Sequence, residues 1–129
     1  MKLLTLLAVA LATITTTTAH TVKCGNGRGG GDAKAIREGI AYLRSKGDMT
    51  RTLGPGQCER PSCSWNSGIF WCNDDKKHSR TMKMVHMAEG AQVIYDECPS
   101  IRGRRGGIGG EVDHPDHWRV KVGYAEDNC

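Results

Sequence analysis

Aromatic residues are scarce in this chain, with one Phe, three Trp and three Tyr among 129 residues. A core with so few rings is thin, and a small domain with a thin core needs stability from elsewhere. Long apolar runs are missing as well. The longest, Leu3 to Ile14, is about a dozen residues and too short to span a bilayer, so no membrane span is expected. Neither sign of charge dominates, since 18 Lys and Arg face 14 Asp and Glu; this mild excess gives no argument for nucleic-acid binding. Asn26, Asn66, Asn73 and Asn128 all lack a hydroxyl residue two places on, which excludes N-glycosylation sequons. There is no Gly-x-Ser-x-Gly elbow, no His-Glu-x-x-His helix and no phosphate-cradling loop.

What the chain does have is an export signal followed by six cysteines. Lys2 precedes the apolar run, and Thr17 and Ala19 occupy the −3 and −1 positions of a cut before His20. Residues 1–19 therefore read as a signal peptide, and residues 20–129 as one secreted domain. All six cysteines (Cys24, Cys58, Cys63, Cys72, Cys98, Cys129) lie in the mature part. An even count in an oxidising compartment predicts three disulfides and no free thiol, with the pairing left open. The spacings Cys58-x4-Cys63 and Cys63-x8-Cys72 do not suit a zinc ribbon or finger, so no metal is expected.

The pattern of elements predicts strand, helix, hairpin, helix, strand. Thr21 to Cys24 is a short strand-forming run before the glycine-rich turn Gly25 to Gly31. Asp32 reads as an N-cap; Ala33, Ile36, Ile40 and Leu43 recur at helical spacing, and Gly47 ends the helix. Residues 48–57, with Gly54-Pro55-Gly56, read as a turn. Arg60 to Trp65 and Ile69 to Cys72 form a hairpin through Asn66-Ser67-Gly68. Ser79 caps a second helix running to Glu97, whose stripe of Met84, Met87, Ala88, Ala91, Ile94, Tyr95 and Cys98 reads as core. Ile101 to Gly110 is a loop, and Trp118, Val120, Val122 and Tyr124 alternate as a half-buried strand. The fold class is α+β: a two-layer split β-α-β sandwich of order β-α-β-β-α-β. In it an antiparallel sheet carries both helices on one face, stabilised by disulfides.

Three groups of residues could carry chemistry. Glu111, Asp113, His114, Asp116 and His117 cluster within seven positions, but Pro115 breaks the segment and the spacing is wrong for a helical His pair, so a polar loop is expected. His78, His86, His114, His117 and Glu111 are raw material for a small secreted ribonuclease, which needs a general acid, a general base and a cation for the phosphate. Arg102, Arg104 and Arg105 sit among glycines and could dock on an acidic partner; Arg104-Arg105 is also a dibasic processing pattern. Nothing in the sequence makes these residues converge, so no catalytic residue and no cofactor is expected.

The stretch Gly54 to Asp74 (GPGQCERPSCSWNSGIFWCND) resembles a signature of small secreted cysteine-rich proteins of filamentous fungi, many of them candidate effectors. The resemblance extends to Ala35–Arg44, to Ala88-Glu89-Gly90-Ala91-Gln92 and to the Trp118 strand with its closing cysteine. It implies a layout similar to the fungal killer-toxin-like α/β sandwiches and an exported protein without a catalytic site. The expected role is that of an extracellular, monomeric, non-enzymatic effector binding a host or microbial protein, or an anionic surface. Arg102, Arg104 and Arg105 are the expected contact. The alternatives are an antimicrobial toxin and the ribonuclease.

Overall fold

The computed structural model describes residues 20–25, 29–98, 107–127 and 129. The elements are β1 (Thr21–Cys24), α1 (Ala33–Lys46), β2 (Thr50–Leu53), β3 (Cys58–Ser64), β4 (Ser67–Asn73), β5 (Arg80–Lys83), α2 (Met84–Glu97), β6 (Gly110–His114) and β7 (Trp118–Tyr124). Five strands form one antiparallel sheet in the order β1-β6-β7-β4-β3, and β2 and β5 form a separate two-stranded ribbon. Helix α1 packs on β3 and β4, α2 packs on β7, β6 and β1, and the helices pack on each other. The result is the α+β sandwich that the sequence implies.

Alternation along the strands sends Ile69, Trp71, Val112, Trp118, Val120 and Val122 toward the helices. There they meet Ile36, Ile40 and Leu43 of α1 and Met84, Met87, Ala88, Ala91 and Ile94 of α2. The methionine stripe is core, as expected. The opposite face of the sheet is charged: Lys23 on β1 pairs with Asp113 at 3.3 Å and Glu111 at 3.9 Å on β6.

Helix α1 starts and stops where the sequence places it. The Asp32 carboxylate accepts from Ala35 N at 2.8 Å, and Gly47, at φ 35°, takes the C-terminal position. Helix α2 does not. Residues Arg80–Lys83 are strand β5 rather than its first turn, because they pair with Thr50–Leu53 of β2, a segment whose local pattern predicts a turn. The Thr52 and Thr81 hydroxyls meet across this ribbon at 2.7 Å. Strand β5 runs straight into α2, whose N-terminus has no side-chain cap. Its orphan amides are satisfied by distant backbone instead: Met84 N donates to Met49 O at 2.8 Å and Val85 N to Gly47 O at 3.1 Å.

Two further expectations change. Residues Glu111, Asp113 and His114 lie on β6, not in a polar loop, and Gly107 and Ile108 are drawn in by an antiparallel bridge between Ile108 and Gly31. The β3–β4 turn is Trp65-Asn66, with Ser67 and Gly68 already in β4. All six cysteines are bridged, as Cys24–Cys98, Cys58–Cys72 and Cys63–Cys129. Each such bridge is typically worth about 2–4 kcal/mol. Among the described residues no helix is long and apolar enough to cross a membrane.

Candidate functional site

Two places on the molecule combine accessible side chains with unusual geometry. The first is the tip of the β3–β4 hairpin. Trp65 and Asn66 both have positive φ, 50° and 51°, the arrangement of a tight two-residue hairpin turn that glycine and asparagine normally occupy. A tryptophan there costs about 1–2 kcal/mol of backbone strain, yet its side chain is 81% exposed. The tip is held rigidly from below. The Ser67 hydroxyl donates to Trp65 O at 3.0 Å and accepts from Asp32 N at 2.8 Å, locking the turn to the start of α1. Ala125 N donates to Asn66 O at 2.8 Å, and the Cys63–Cys129 bridge sits beside the turn.

The segment Cys63-Ser-Trp-Asn-Ser67 is thus one construction: a bridge, a strained turn and a hydroxyl anchor. Trp65 overhangs a 240 Å³ hollow lined by Asp32, Lys34, Ala35 and Glu38. Across Glu38, a wider depression continues to Tyr42 and Pro61, and Tyr42 is 47% exposed. Lys34 and Glu38 are ion-paired along the helix between the two rings.

The second place lies at the other end of the sheet. The β6–β7 register pairs His114 with Trp118, and their rings stack at 3.7 Å with 12° between planes. The β1–β6 register pairs Thr21 with Asp113; extended by one residue it sets His20 opposite His114, on the same sheet face as Val22 and Val112. The His20 and His114 ring centroids are 6.3 Å apart. His86, on α2, completes a 170 Å³ cleft with Glu89, Gly90, Val93, Val112 and Trp118, and its Nδ1 lies 3.1 Å from Glu89 Oε2. Burial pushes the His114 imidazole below its ordinary pKa; Asp116 opposes this, while His20, Arg80 and His86 add to it.

The ribonuclease candidates are only partly brought together. His86 and His114 share the cleft, and His20, which the sequence marks only as a cleavage position, joins them. His78 is paired with Asp75 at 3.0 Å in the β4–β5 connection. Glu111 faces Lys23 on the far side of the sheet. His117 occupies the left-handed position of the β6–β7 turn, with φ 66°, and does not line the cleft. Arg102, Arg104 and Arg105, and the cut between Ala19 and His20 on its Ala19 side, lie outside the described residues. The sequence signal for Trp65 was a Trp-Asn pair between two strand-forming runs; its strained backbone had no signal at all. No protein-family model, curated protein or solved structure matches this chain.

Proposed function

We propose that this is a secreted, non-enzymatic binding protein that engages a host or microbial partner protein outside the cell, in the effector-like role the sequence resemblance implies. The observation that carries this reading is Trp65. Strained backbone persists where the surrounding structure fixes it, and such sites cluster at ligand contacts. A solvent-facing indole on a hydrogen-bonded turn, flanked by a second exposed ring, Tyr42, is the kind of anchor that dominates protein–protein binding energy. Asp32, Lys34 and Glu38 supply a polar surround of mixed sign. Three bridges suit an oxidising extracellular setting.

Leaf infiltration with oxidised protein (residues 20–129), its Trp65→Ala variant and a reduced, alkylated control tests the proposal. Cell death or altered immune signalling from the oxidised parent alone, lost in Trp65→Ala with unchanged far-ultraviolet circular dichroism, is the expected result. An equal response from Trp65→Ala removes this surface. The Arg102, Arg104 and Arg105 triple alanine variant then asks whether the basic segment is the contact. No response in several plant species overturns the host-directed reading, and inhibition of fungal or bacterial growth by the same sample puts the toxin reading in its place.

A further inference from the structure

We propose that the partner docks as a strand: a short extended segment with basic side chains adds to the open edge of β3 and lies in the groove between that edge and α1. The inference rests on the reading of Trp65 as a contact residue and names what it contacts.

The edge is set by the hairpin register. Strand β3 ends the five-stranded sheet, and among the described residues no strand lies beyond it. The tight Trp65-Asn66 turn makes Ser64↔Ser67 a hydrogen-bonded pair, so the next pair, Cys63↔Gly68, is not hydrogen-bonded. The amide and carbonyl of Cys63 therefore point away from β4, out of the sheet. The register shifts between Glu59 and Ser62, and Pro61 has no N–H. The open edge is thus three residues long, Ser62 to Ser64, with Cys63 at its centre. Such shortening guards an edge against indiscriminate pairing and leaves room for a short segment.

The groove lies on one face of that edge. Ser62 points toward α1, where a Cβ on Gly39 would meet its hydroxyl at 2.5 Å; Cys63, bridged to Cys129, points to the other face. On a segment paired with β3, the residue opposite Cys63 faces away from α1 and its two neighbours face α1. The neighbour opposite Ser64 enters the 240 Å³ hollow under Trp65. The neighbour opposite Ser62 enters the depression in front of Tyr42.

Charge selects the side chains. Glu38 borders both hollows, and of the described residues around the second it alone is charged. The first adds Asp32 against Lys34, so the groove is acidic in a chain of net charge +4. Lys34 and Glu38 pair in solvent, an arrangement worth little, so an incoming cation competes for Glu38. The Tyr42 ring already takes a cation, with Lys46 Nζ 5.6 Å from its centroid. Arginine or lysine at the two inward positions therefore lays its stem on an exposed ring and its charge on a carboxylate. A second copy fits worse, because a two-fold axis through Cys63 brings the Glu38 carboxylates of both copies to one joint.

The probe is the peptide acetyl-Thr-Arg-Val-Arg-Thr-amide, titrated into isotope-labelled, oxidised protein and followed by NMR. Saturable shifts at Ser62 to Trp65 are expected, with slower solvent exchange of the Cys63 amide as it gains an acceptor. N-methylation of the peptide's valine, the residue opposite Cys63, should weaken binding about tenfold, the effect of one hydrogen bond left unmade. N-methylation of the first arginine, whose N–H faces away from β3, should leave binding unchanged. Glutamate in place of both arginines should abolish it, and Trp65→Ala and Glu38→Gln should each weaken it. Equal binding by the N-methyl-valine and parent peptides overturns edge pairing. No binding by the arginine peptide overturns strand docking; if Trp65→Ala still abolishes the leaf response, the binding reading stands without it. Concentration-dependent dimers in sedimentation velocity, absent from Trp65→Ala, give the edge to a second copy and overturn the proposal.

Discussion

The two long hairpins of this molecule use the same device to opposite ends. Each turns through a non-glycine residue in left-handed backbone, Trp65-Asn66 between β3 and β4 and His117 between β6 and β7. Each carries a tryptophan close to that turn. In the β6–β7 hairpin the ring folds inward: Trp118 is 7% exposed, lies under His114 and joins the core. Its three-residue loop Pro115-Asp116-His117 closes with His117 N donating to His114 O at 3.2 Å, and the left-handed position holds a histidine, a residue type found there more often than most. In the β3–β4 hairpin the tryptophan itself takes the strained position and points at solvent. The first arrangement is explained by packing. The second is not, and that contrast points to Trp65 as a contact residue.

The strongest way to break the comparison is at Trp118. Trp118→Ala should cost about 3–5 kcal/mol, as truncation of a buried tryptophan does, and thermal unfolding of the purified protein would show it. Trp65→Ala should leave the melting temperature within experimental error.

The helices offer a second contrast, because each rests a glycine on the hairpin beneath it. A Cβ on Gly90 would meet Val120 Cγ2 at 2.7 Å and its Cβ at 3.0 Å, and the buried, β-branched valine has nowhere to turn. A Cβ on Gly39 would meet the Ser62 hydroxyl at 2.5 Å and Ile69 Cδ1 at 3.1 Å, groups that can rotate aside. Alanine in a helix interior otherwise gains about 1 kcal/mol over glycine, whereas forcing extra volume into a packed core costs about 1–3 kcal/mol. Gly90→Ala should therefore destabilise by up to about 2 kcal/mol and Gly39→Ala by much less, in denaturant titrations run side by side.

Trp65→Gly should move stability the other way. Relieving the left-handed strain is worth about 1 kcal/mol, a rise of a few degrees in melting temperature for a domain of this size. A fall instead would mean that the indole packs on the protein rather than awaiting a partner. The smallest effect is expected at Asp75, between the hairpins. Its carboxylate accepts from Lys77 N at 2.8 Å, His78 N at 3.1 Å and the His78 ring, which holds its pKa down at about 2. A folded value below the unfolded one means the stabilisation is present above about pH 4 and is lost as pH falls through about 2. Carboxyl chemical shifts followed by NMR should place the midpoint there.

Helix α1, the methionine core and β7 were legible because each repeats an apolar residue at the period of its own element and, for α1, ends in a cap made by a neighbouring residue. Strand β6 was not legible. Its inward positions carry Gly110, Val112 and His114, so only one apolar side chain marks the face, and the outward positions are acidic. Strand β2 buries Leu53 alone. The start of α2 was misplaced because its capping carbonyls belong to Gly47 and Met49, far away in sequence. The same distance hid the candidate sites. Ser79 looked like a cap by local chemistry, while the partnership of His20 with His114 depends on a strand register that no local pattern encodes.

That register also sets the order in which the molecule can be completed. Strand β1 is the first element of the fold to leave the ribosome, yet its partner β6 is among the last. Contacts so distant in sequence form late. Thr21 to Cys24 must wait through synthesis of both helices and four strands before its edge exists to dock on, with Cys24 held open for Cys98 meanwhile. His20 thus reports on the finished chain: only a molecule translated as far as β6 can bring it beside His114.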